Sequence, residues 1–135
     1  MGLAERRASK EFQDKHFPEL KNEVQKVAGF AVPIEVNWDQ LAVEGQTGSY
    51  QEAWTEIFFK PVIEALRQIG RDDMGKEALK GGLKKIELRN SSGYYSPGSA
   101  ITFEGGQITI DHDYTNLGDT KDRTKHLVEI VEKGL

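Results

Sequence analysis

The feature that most constrains the fold is a glycine pair at positions 105–106, set between two short runs of alternating apolar residues. Two glycines readily adopt the positive φ angles of a type I′ turn, the commonest two-residue connection in a β-hairpin. In that register Phe103 pairs with Ile108 and Ile101 pairs with Ile110, so the four side chains share one face. The pattern therefore predicts a hairpin over residues 101–110 with one buried face.

Helical periodicity dominates the first half of the chain. A helix is predicted from about residue 50 to 69, where Pro61 should either kink the axis or mark a joint between two helices. An earlier helical segment over residues 3–28 contains Pro18, so it either kinks there or divides into two helices. The apolar face of the helix predicted over residues 50–69 consists of Trp54, Ile57, Phe58, Val62, Ala65, Leu66 and Ile69.

Two further alternating segments predict strands at residues 32–38 and 83–89. A final helix follows Asp119 or Thr120 and buries Leu127, Ile130 and Val131. We expect one α+β domain over residues 1–135, in the order helix, strand, two helices, three strands, helix. Its sheet should be small and mostly antiparallel, a three-stranded C-terminal meander plus the earlier strand, covered by helices. The position of the first strand in the sheet stays open.

Composition narrows the functional classes. The 135 residues carry a net charge of −4, which argues against a broad nucleic-acid or anionic-membrane surface, so neither partner is expected. Without cysteine, disulfides and thiolate chemistry are excluded. The first ten residues lack an apolar stretch, and no apolar run approaches the roughly 20 residues of a membrane span. We therefore expect a soluble, cytoplasmic protein.

The sharpest cluster of chemically capable residues is Asp111-His112-Asp113 at the end of the last strand. Strand alternation puts Asp111 and Asp113 on the face opposite Ile110, whereas His112 shares the core side. Two carboxylates at this spacing could hold a divalent cation, with His112 assisting. The alternative, which we favour, is a solvated outer face with a histidine at the rim of the sheet.

A second candidate is the loop over residues 91–99, which contains Ser92, Tyr94 and Tyr95. Tyrosine among serine and glycine combines a large amphipathic ring with adaptable hydrogen bonding, a composition typical of recognition loops. The alternative, which is favoured about two to one, is that both rings fold back over an open end of the core. If the rings are exposed, this loop is the expected contact surface.

These observations leave three functional hypotheses. The leading one is a small binding or accessory protein, without enzymatic activity or a cofactor, that recognises a protein partner or small ligand through the tyrosine loop and sheet edge. It rests largely on the absence of serine-hydrolase, zinc-protease and phosphate-loop motifs. The rival is a hydrolase-like enzyme using a divalent cation at Asp111 and Asp113. The third is a homodimer formed through the Trp54-Phe58-Phe59 helix face, because Phe59 lies beside the main apolar stripe.

Overall fold

The computed structural model describes residues 2–135 and has an α+β architecture, as predicted. Within that range, no helix is both long and apolar enough to span a bilayer. The helices are α1 (Leu3–Lys15), α2 (Phe17–Ala28), α3 (Trp38–Leu41), α4 (Tyr50–Trp54), α5 (Lys60–Ile69), α6 (Asp73–Gly82), α7 (Pro97–Ala100) and α8 (Thr120–Gly134). The strands are β1 (Ile34–Val36), β2 (Lys85–Arg89), β3 (Ile101–Glu104) and β4 (Gln107–Asp111).

The β3–β4 hairpin has the predicted turn and the predicted register. Its two glycines have φ angles of 59° and 80°, which a type I′ turn requires. Phe103 pairs with Ile108 and Ile101 with Ile110 in an antiparallel ladder. Ile101, Ile108 and Ile110 are buried, and Phe103 packs against the same core. This part of the sequence-based prediction is confirmed.

The predicted three-stranded meander is matched only by the β3–β4 hairpin, because β2 runs parallel to β4 and the sheet is mixed rather than mostly antiparallel. The sheet order is β1-β2-β4-β3, so β4 lies between β2 and β3. Ile86 pairs with Ile108 and Leu88 pairs with Ile110. Either strand direction would bury Ile86 and Leu88 on the same face, so the alternation in the sequence does not distinguish the two topologies. Residues 90–100 instead cross the carboxyl end of β4 before β3 begins.

The first strand, β1, forms the edge beside β2 and is also parallel to it. Ile34 pairs with Ile86 and Val36 with Leu88. A parallel pair requires a crossover connection, and here the connection is the whole helical segment from α3 to α6. Three strands, β1, β2 and β4, therefore end at the same edge of the sheet. The face of the sheet that points away from the core is polar, and on it Lys85 Nζ lies 2.7 Å from a carboxylate oxygen of Glu35.

Pro61 produces a π-helical segment, Thr55–Phe59, between α4 and α5. The N–H of Lys60 bonds to the carbonyl of Thr55, five residues back. In this register the next donor would be residue 61, but proline has no N–H, and the carbonyl of Glu56 is left free. Thr120 Oγ1 at 3.1 Å and Arg123 at 3.2 Å donate to that carbonyl instead. The predicted helix joint is thus a π segment that fixes the position of α8.

Aromatic side chains from α1 to α5 form the centre of the core. Phe12 packs edge-on against Trp54 with 5.0 Å between the ring centroids, and Phe17 packs against Trp38 with 5.1 Å between theirs. Phe59 is 1% exposed and lies 5.8 Å from Phe17. Pro18 starts a second helix, and the break between α1 and α2 lets both helices pack against this cluster. Phe59 is therefore buried within the chain, which removes the observation that suggested a homodimer.

Candidate binding site at the carboxyl end of the sheet

Polar residues follow each of the three parallel strands at the edge where those strands end. Asn37 follows β1, Asn90 follows β2, and Asp113 lies two residues beyond β4. Asn90 Nδ2 donates to Asp113 at 3.4 Å, and the Asn90 N–H donates to Gln40 Oε1 at 3.3 Å. Ligands of open α/β sheets bind outside the carboxyl ends of parallel strands, which makes this edge a candidate binding site.

Asp111 attaches the start of the segment 90–100, which crosses the sheet, to the end of β4. Its carboxylate accepts the Ser91 N–H at 2.7 Å, the Ser91 hydroxyl at 2.7 Å and the Ser92 N–H at 3.3 Å. Arg89 Nε also donates, at 3.3 Å. Asp111 is only 5% exposed, so the prediction that it lies on a solvated surface is wrong. Its carboxylate serves as an anchor for the loop.

The electrostatics of Asp111 follow from these contacts. Burial by itself would raise the pKa of Asp111. The hydrogen bonds from Ser91, together with those from Arg89 and Ser92, favour the charged form more strongly, so the pKa lies below its ordinary value. The ionised carboxylate is the form that the loop requires.

Two further hydrogen bonds hold the backbone of the tyrosine turn, which we define as residues 91–96. The Asp113 N–H donates to the Tyr94 carbonyl at 2.7 Å, and Asn116 Nδ2 donates to the Tyr95 carbonyl at 2.9 Å. Asn116 has a φ of 56°, a left-handed conformation that asparagine tolerates better than most residues. The turn is therefore tied to β4 and to the segment that precedes α8.

The rings of the tyrosine turn are exposed. Tyr94 is 43% exposed and Tyr95 is 68% exposed, so neither folds back over the core as the favoured alternative predicted. Ser92 is also exposed. Residues 90–103 contain no charged side chain, although 30% of the chain is charged. The result is an uncharged aromatic surface on a backbone held at several points.

His112 is fully buried, so it lies on the core side that strand alternation gave it and not at an open rim of the sheet. Its Nδ1 lies 2.7 Å from the Asp113 carbonyl, which can only accept, so Nδ1 carries the proton. Across residues 2–135, Nε2 finds no hydrogen-bond partner. Burial lowers the pKa of His112, and the Arg123 guanidinium lowers it further against the opposing bond to Asp113. The neutral imidazole is therefore the form that fits the fold.

Few carboxylate oxygens at this site are free to bind a cation. Both oxygens of Asp111 are occupied by donors, and Asp113 Oδ1 accepts the Tyr114 N–H at 2.8 Å. In the part of the chain that the structure describes, no three His, Asp or Glu side chains are grouped so that they could hold a metal ion. The geometry thus gives no support to a metal centre at Asp111, His112 and Asp113, and that hypothesis stays untested.

Arg123 is a residue of this region that sequence reasoning missed. It is fully buried and donates to the Asn116 carbonyl at 2.9 Å, which links the core to the residue that holds Tyr95. A signal existed in the sequence, because Arg123 precedes Leu127 and Val131 at four-residue spacing and so shares their buried stripe. A charged residue on an apolar stripe indicates a buried polar anchor.

A groove of about 1100 Å³ lies on another surface, between α5 and α8. Its walls carry four carboxylates and three lysines: Glu52, Glu56, Glu64, Glu129, Lys60, Lys121 and Lys125. Lys60 lies 3.6 Å from Glu56, so part of this charge is neutralised within the groove. Mixed, paired charge selects no single class of ligand.

Comparison with known proteins adds no assignment: no family model, no curated protein and no solved structure matches the chain.

Proposed function

We propose that the protein is a small binding protein that recognises a protein partner through the tyrosine turn. The observation that carries this proposal is the exposure of Tyr94 and Tyr95 on a backbone that Asp111, Asp113 and Asn116 hold in place. A surface that is ordered before binding loses less conformational entropy when a partner docks.

The chemistry of the turn favours a protein over a small ligand. Small-molecule sites are concave, whereas neither tyrosine ring lines either of two grooves of the surface, of about 1100 and 720 Å³. Tyrosine is enriched and charge is depleted at the centres of protein interfaces. The uncharged stretch over residues 90–103 matches that composition, with Arg89 and Glu104 at its ends as the first charged residues.

The test compares a double variant, Tyr94→Ser with Tyr95→Ser, against a control, Met74→Ser. Met74 is 82% exposed on α6, so its replacement removes exposed apolar surface elsewhere on the protein. Proteins captured from the source cells on immobilised wild-type chain are quantified against both variants. We expect at least one protein to bind the double variant about tenfold or more weakly, because each interface tyrosine typically contributes about 1–2 kcal/mol.

Melting temperature provides the folding control. Both rings are exposed, so the double variant should melt within a few degrees of the wild type. Retention of every captured protein by the folded double variant would refute the proposal. So would an equal loss with Met74→Ser, because the effect would then reflect general surface hydrophobicity.

A further inference from the structure

Strand β1 presents unpaired main-chain groups at the edge of the sheet. On its inner side the Pro33 carbonyl accepts the Ile86 N–H at 2.9 Å, and the Asn37 N–H donates to a carbonyl of β2 at 2.9 Å. Neighbouring residues of a strand direct their N–H and C=O groups to opposite sides. Ile34 and Val36 therefore direct two N–H groups and two C=O groups away from the sheet, in the pattern that another strand would pair with.

Pro33 does not block this edge, and β1 is only three residues long. Proline blunts an edge when its missing N–H faces outward, but the position of the Pro33 carbonyl puts the missing N–H on the β2 side. The Val32 carbonyl is already taken by Gln25 Nε2 at 3.3 Å, so the open edge begins at Ile34. It ends at Asn37, where the chain turns into α3.

A groove of about 720 Å³ lies at the carboxyl end of this edge, where Val36 and Asn37 line it. Gln13 and Trp38 line it together with three carboxylates, Glu35, Asp39 and Glu87. No lysine or arginine is among its lining residues. Glu35 pairs with Lys85 and Glu87 pairs with Arg89, so Asp39 carries the negative charge of the groove that no salt bridge offsets within residues 2–135.

We propose that the β1 edge binds an extended, basic peptide segment as a fifth strand of the sheet. The main-chain groups of Ile34 and Val36 pair with the backbone of the segment. Its lysine or arginine side chains meet Asp39 and Glu35, which gives the site its preference for positive charge. This site is separate from the tyrosine turn and does not depend on the function proposed for that turn.

The probe is a fluorescent seven-residue peptide of alternating lysine and valine, with blocked ends, titrated into the full chain. Two further versions carry N-methyl groups on all valine amides or on all lysine amides. Only one set of amides faces β1 in a paired strand, so one methylated peptide should bind like the parent and the other should not bind. Equal behaviour of the two methylated peptides would overturn the proposal, as would equal binding of a version with glutamate for lysine.

Two variants of the chain locate the site. Val36→Pro removes one outward N–H and should weaken parent-peptide binding at least about tenfold, whereas Asp39→Asn should weaken it about two- to fivefold. The Tyr94→Ser, Tyr95→Ser variant should bind the peptide as the wild type does. If Val36→Pro does not fold, the methylated peptides and the exchange rates of the Ile34 and Val36 amides in the wild type decide the question. Sedimentation that shows a dimer abolished by Val36→Pro would assign the edge to a second copy of the chain and overturn the proposal.

Discussion

Replacing Asp111 by asparagine should destabilise the protein by about 2 kcal/mol. The asparagine oxygen can still accept the Ser91 N–H, but as a neutral acceptor, and a bond to a neutral group is worth about half one to a charged group. The new amide NH₂ then faces the Ser91 hydroxyl and Arg89 Nε. The hydroxyl can rotate and accept, whereas Arg89 cannot, so one charge-assisted bond is lost. Because Arg89 is 37% exposed, that bond contributes at the low end of its usual range.

Urea unfolding followed by tryptophan fluorescence measures the effect. Asp14→Asn is the matched control, since Asp14 is exposed and pairs with Lys10 along α1, and loss of this ion pair should cost less than about 0.5 kcal/mol. The pKa of Asp111 is lowered, so its stabilising contribution is present at neutral pH and declines as the pH falls below the ordinary value of 3.8. The difference between wild type and Asp111→Asn should shrink over that acidic range. Equal midpoints for Asp111→Asn and Asp14→Asn at neutral pH would refute the anchoring role.

Two other predictions test the packing of α6 and the buried histidine. Gly75→Ala should destabilise the protein by at least about 2 kcal/mol, because the added Cβ would lie 1.7 Å from a main-chain oxygen of α5. At Gly81 an added Cβ meets no atom within 4 Å, so Gly81→Ala should stabilise α6 by about 0.5–1 kcal/mol. Thermal unfolding compares the two variants. Because the pKa of His112 is lowered, the unfolded state binds its proton first, so stability should fall as the pH drops below about 6.5 and level off below the folded pKa. Urea unfolding between pH 5 and 7.5 should show less of this decline in His112→Leu, and an unchanged decline would refute the role of His112.

Local sequence features predicted the parts of the fold that depend on neighbouring residues. The glycine pair and the parity of residues 101–110 specified the hairpin and its register, because turn geometry and side-chain alternation act over a few residues. The apolar stripe beginning at Trp54 predicted the central helix for the same reason. The extra residue of the π segment was not predicted, since it requires Arg123 and Thr120 to satisfy the Glu56 carbonyl from a helix about 65 residues away.

The candidate sites divide along the same line. Composition singled out the tyrosine turn and the Asp111–Asp113 cluster, but not whether the rings of Tyr94 and Tyr95 face water. Exposure depended on Asp111, Asp113 and Asn116 holding the turn away from the core. The sequence assigned Asp111 to a surface because alternation reports only which face a side chain leaves from. It does not report that another segment, residues 90–100, crosses that end of the strand.

By itself, then, the amino-acid sequence determined the apolar face of the hairpin, where the chain reverses at residues 105–106, and where the long helical segments lie. The tertiary structure decided the direction of β2 relative to β4, the edge position of β1 and the burial of Asp111. Ile86 and Leu88 would be buried equally whether β2 ran parallel or antiparallel to β4. The choice between them comes from contacts between distant segments, among them the bonds from Ser91 and Arg89 to Asp111, and no local pattern encodes those contacts.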